Sequence, residues 1–132
     1  MLRNPAAVAV LLFAAEAHAQ PNVGRPPAAL FSSIVQDPLT GERDGLSVDI
    51  RAAGWAEVLI CQGECRVAVS GPIRWERGEV AFHTIEPLID VTGGRDFQIR
   101  TDFRGRVVGD DLEIVQIEPP IMPPQKLTRR RR

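Results

Sequence analysis

No apolar stretch in the chain reaches the ~18–20 residues that a membrane-spanning helix needs, so no helical span is expected. Charge of one sign is not in excess. Sixteen Lys+Arg against seventeen Asp+Glu give a formal charge of -1. That balance excludes a histone-like basic protein and an acidic disordered chain. Aromatic residues make up only 5% of the 132 positions. Lysine is nearly missing, since Lys126 is the one lysine among the sixteen basic residues. Histidine occurs twice, at His18 and His83, and cysteine twice, at Cys61 and Cys65. Two histidines and two cysteines fall short of the paired ligand sets that make zinc signatures specific. A G-x-S-x-G elbow and a Gly-rich phosphate loop are both missing. Fifteen acidic residues between positions 42 and 118 make some close carboxylate pair inevitable, and nothing marks one pair for hydrolysis. No catalytic residue and no cofactor is therefore expected.

What the chain does have begins with an address. Residues 1–19 carry Arg3, an apolar core from about Pro5 to Ala15, and then Ala17-His18-Ala19. This small-x-small ending matches the site that signal peptidase accepts. Cleavage is expected between Ala19 and Gln20, leaving a soluble exported protein. The arginine bias together with the leader suggests a GC-rich bacterial genome and the periplasm. An extracellular location is the alternative.

The next segment, 20–41, opens with Gln20-Pro21-Asn22-Val23-Gly24-Arg25-Pro26-Pro27 and reads as a flexible leader. Ala28 to Gln36 is apolar enough for one short strand or a helical turn. Eleven glycines and eleven prolines weigh against a helical bundle. From Leu46 the pattern alternates: Leu46, Val48 and Ile50 fall on one face, Ser47, Asp49 and Arg51 on the other. That period is the signature of a strand with one wet face. Trp55–Cys61 and Cys65–Gly71 flank Gln62-Gly63-Glu64 and read as a hairpin. Further strands are expected at Glu79–Thr84 and Asp96–Phe103, with a closing hairpin around Gly109-Asp110, and Gly105 marks a bulge or bend. Ile85–Gly94 reads as one or two helical turns or as a loop. The fold expected for 42–118 is therefore all-β: a small antiparallel, OB-like barrel of five to six short strands with at most one short helix. A small β-sandwich is the alternative. Residues 119–132 open on Pro119-Pro120 and end in four arginines, and are expected to be a Pro-rich, disordered basic tail.

Charge is distributed unevenly. Residues 42–118 hold nine arginines against fifteen acidic residues, a net of -6, whereas residues 119–132 carry five cations. The acidic body argues against nucleic acid as a partner. The tail residues Lys126, Arg129, Arg130, Arg131 and Arg132 are candidates for a tether to an anionic envelope surface or an acidic protein.

In an oxidising compartment Cys61 and Cys65 are expected to pair as a disulfide across the hairpin. Opposed strand residues lie within the reach of such a bond. With His83 the same cysteines form the candidate metal or redox set, Cys61, Cys65 and His83. Arg74, Trp75, Arg100 and Arg104 are the candidate binding residues, since arginine and aromatic side chains concentrate binding energy. Taken together the residues point to a small exported, non-catalytic β-domain, a binding or structural module of the cell envelope. An envelope redox or metal-handling factor using Cys61, Cys65 and His83 is the alternative.

Overall fold

The structure, a computed structural model, describes residues 26–89, 92–94 and 96–132. The expected signal peptide and residues 20–25 of the leader lie outside the described residues. Among the described residues nine strands run in chain order: β1 (Leu30–Ser32), β2 (Val35–Gln36), β3 (Arg43–Ile50), β4 (Ala56–Val69), β5 (Arg74–Glu76), β6 (Glu79–Ile89), β7 (Asp96–Val108), β8 (Asp111–Glu118) and β9 (Gln125–Arg130). They form one antiparallel sheet that runs β4-β3-β1-β9-β8-β7-β6-β5, with β2 beside β1 on the same edge of β3. The all-β, antiparallel expectation holds. β3 to β8 lie within 42–118, the span for which five to six strands are expected, with β4 folding back into two arms, and three further strands lie outside it.

Two of the extra strands come from Ala28–Gln36. β1 and β2 both lie along one edge of β3, pairing Leu30 with Asp49 and Val35 with Asp44. They are in effect one strand interrupted at Ser33-Ile34. Gly45 sits opposite that break, and a Cβ there would lie 2.7 Å from the Ser33 carbonyl oxygen. The third extra strand, β9, replaces the disordered tail expected at 119–132. It pairs with β8 on one side and β1 on the other, through Leu112–Leu127 and Phe31–Arg129. The physical reason is that the backbone of a basic segment pairs as well as any other, and Leu127 supplies one fully buried anchor.

β4 folds back on itself. Four residues of extended strand span about 13 Å, yet the Cα atoms of Cys61 and Cys65 are 4.0 Å apart and their sulfurs are bonded. At the far end of the fold-back the Ser70 N–H donates to the Ala56 carbonyl, 2.8 Å, and the Ala56 N–H donates to the Ser70 hydroxyl. The expected hairpin about Gln62-Gly63-Glu64 is therefore present within β4. Its second arm then meets β6: Ser70 bridges Thr84, and the Gly71 N–H donates to the His83 carbonyl at 3.0 Å. These contacts curl the sheet around a single core.

The core follows the alternation read from the sequence. Leu46, Val48 and Ile50 of β3, Ala56, Val58 and Ile60 of β4, Leu112 and Ile114 of β8 and Leu127 of β9 all point inward. Phe82 and Phe103 are paired in register and stack with ring centroids 5.0 Å apart. One row further, the paired Thr84 and Thr101 are also fully buried.

The helical turn or loop expected over Ile85–Gly94 is corrected in its first half: β6 continues to Ile89, and no helix occurs among the described residues. Pro87 fits because it lies past Thr84, where no strand of the described residues pairs with the outer edge of β6. The β6–β7 hairpin thereby runs past the core, leaving Ile85 and Phe97 about half exposed. No helix of the described residues is long and apolar enough to cross a membrane.

Candidate functional site

A short turn sets up the site. Arg77 and Gly78 both take positive φ, 52° and 80°, the geometry of a two-residue hairpin loop that matches strand twist. The turn lays β5 against β6 with Arg74 opposite Ala81. On the far side of β6, Ala81 is opposite Arg104 of β7. Side chains of registered residues share a face, so Arg74, Ala81 and Arg104 form one row across three strands on the outer face of the sheet.

This row is the floor of a groove of about 570 Å³ over β5–β8. Its lining includes Arg74, Ala81, His83, Arg100, Asp102 and Arg104. The alanine is the shortest side chain in the row and leaves space between the two arginines. His83 lies one row along, its ring against the Cα of Gly71; a Cβ at Gly71 would fall 2.8 Å from the imidazole Cε1. Arg100 and Asp102 hold each other through a 3.0 Å ion pair, and Arg106 faces Glu113 at 3.8 Å. The side chains of Arg74 and Arg104 have no ion-pair or hydrogen-bond partner among the described residues. Glu76 and Glu79 face one another next to the turn, giving that end of the groove negative charge.

Three of the four binding candidates are thus brought together: Arg74, Arg100 and Arg104. Trp75 is not. It alternates with Arg74 and Glu76 on β5, so it turns inward and packs, half buried, against the core. The groove also contains residues the sequence did not point to. β7 and β8 slip register between Arg104 and Gly105: Arg104 pairs with Gln116 but Gly105 with Ile114. Val115 is the surplus residue of this bulge, and it lines the groove with its apolar side chain partly exposed. The one available signal was Gly105 itself, where a Cβ would lie 2.6 Å from the Glu113 carbonyl oxygen.

Cys61 and Cys65 stand elsewhere. Cys61 is buried and borders a second hollow of about 370 Å³ with Gln62, Met122 and Gln125. His83 does not line that hollow, and both cysteines are consumed by their disulfide. No group of three His, Cys, Asp or Glu residues with metal-binding geometry occurs among the described residues.

The basic carboxy-terminal residues are partly engaged. Lys126 pairs with Asp111 at 3.4 Å. Arg132 donates to the Asp49 carboxylate and, at 2.8 Å, to the Ile50 carbonyl. Arg129 and Arg130 lie exposed on β9, and Arg131 is exposed beyond it.

No family model, no curated protein and no solved structure matches the chain.

Proposed function

We propose that the chain is a small exported, non-catalytic β-module of the cell envelope that binds a ligand in the groove over β5–β8. One observation carries this reading. Registered strand pairing gathers Arg74 and Arg104, both without partners among the described residues, around the short side chain of Ala81. The groove volume falls in the ordinary range for small-molecule sites. The Cys61–Cys65 bond suits an oxidising compartment, and the amino-terminal segment has the composition of an export signal. The curl that brings Ser70 to Thr84 favours a small barrel, OB-like in size, over a sandwich. The exposed Arg129, Arg130 and Arg131 remain available to an anionic surface or acidic protein.

The experiment is a fragment screen on the purified chain, read by backbone amide shifts and using acidic, neutral and basic fragments. Shifts centred on Ala81, His83 and Arg104 are expected. Shifts confined to other strands contradict the assignment. Intact mass after export tests the compartment: a product beginning at Gln20 is expected, and one beginning at Met1 contradicts it.

A further inference from the structure

We propose that Arg74 and Arg104 clamp a single oxyanion group, carboxylate or phosphate, of a small soluble ligand seated over Ala81. The proposal rests on the groove being the ligand site and names the chemistry it selects. Two interstrand spacings separate the Cα atoms of Arg74 and Arg104, about 10 Å. An arginine side chain spans more than half that distance, so two guanidinium groups from opposite walls can meet over the alanine. Each offers a planar fork of donors matched to a two-oxygen anion.

The neighbouring charges sharpen the selection. Arg100 is already neutralised by Asp102, and Arg106 faces Glu113. Arg74 and Arg104 are thus the groove's two cations without an ion pair among the described residues. The opposed Glu76 and Glu79 repel a second negative group placed toward the turn. The ligand therefore carries its anionic end over Ala81 and extends away from the turn, toward His83 and Gly71. There the imidazole, which covers the Gly71 Cα, presents a flat surface for an uncharged portion. A small soluble ligand suits a groove of about 570 Å³ on a continuous sheet face better than a flat membrane does.

Calorimetric titration of the purified chain with inorganic phosphate tests the clamp. One phosphate per chain is expected. Arg74→Gln and Arg104→Gln should each weaken binding about tenfold, the usual effect of losing one charge-assisted hydrogen-bonding group. Arg104→Lys should fall between, since it keeps the charge and loses the fork. Arg43→Gln removes an exposed charge on β3 and should leave binding unchanged. All three side chains are solvent-facing, and unchanged thermal unfolding of each of the four variants shows that folding is intact. Equal weakening by Arg43→Gln would reveal a diffuse charge effect and overturn the clamp. Binding to phosphatidylglycerol vesicles without binding to free phosphate would overturn it as well. If phosphate fails while neutral fragments still shift Ala81 and His83, the clamp falls and the groove reading stands. If neither probe perturbs the groove, both fall.

Discussion

Cys61 and Cys65 face each other across the fold-back of β4, with their Cα atoms 4.0 Å apart. The bond closes a loop of only five residues, counted from Cys61 to Cys65. It therefore removes little freedom from the unfolded chain, about 2 kcal/mol in the loop-entropy description. Reduction should lower the unfolding free energy by that amount without abolishing the fold. Urea unfolding with and without reductant measures this. A fully unfolded reduced protein would show that the core cannot stand without the bond.

The carboxy-terminal strand is structural before it is anything else. Leu127 is fully buried between β1 and β8. Leu127→Ala should cost about 2–5 kcal/mol, the range for truncating a buried leucine. Chemical denaturation reads the loss directly. A variant as stable as the parent would mean that β9 is not part of the folded sheet.

Thr84 and Thr101 are paired across β6 and β7, fully buried, and neither hydroxyl has a hydrogen-bond partner among the described residues. An unsatisfied buried hydroxyl costs about 1–3 kcal/mol. Replacing both with valine keeps the shape and removes the polar atoms. The double variant Thr84→Val/Thr101→Val should be at least as stable as the parent. A clear loss of stability would show that the hydroxyls are satisfied in solution, by a buried water or by one another.

Gly105 allows β8 to pass close to β7 at the bulge. With a Cβ only 2.6 Å from the Glu113 carbonyl oxygen, Gly105→Ala must shift backbone. It should destabilise the protein by about 1–3 kcal/mol, as other overpacked sites do. It should also displace Val115 in the groove. Thermal unfolding, with amide shifts at Val115 and Gln116, checks both effects.

Much of this fold was legible because alternation is a strong signal. Leu46, Val48 and Ile50 announced their inward face, and so did Val80 and Phe82. The cysteine spacing indicated a hairpin as well as a bond. β9 was hidden because Lys126-Leu127-Thr128 has one apolar residue among charges, follows four prolines, and gains its stability from partners distant in sequence. The strand over Ile85–Ile89 was hidden by Pro87, which reads as a breaker until the vacant edge beside it is seen. Trp75 reads as a binding residue by its type alone, and the alternation of β5 turns it inward. At the site, Arg74, Arg100 and Arg104 could be named as residue types. Their meeting over Ala81 depends on strand register, which no local pattern supplies.

The most direct measurement is the amide shift map of the purified chain titrated with inorganic phosphate. It separates the groove from the exposed Arg129, Arg130 and Arg131, the other place where an anion would gather. The expected result is a saturating shift led by Arg74, Ala81 and Arg104. Shifts led by residues 129–131, with Ala81 unmoved at saturation, would contradict the assignment of the groove as the anion site.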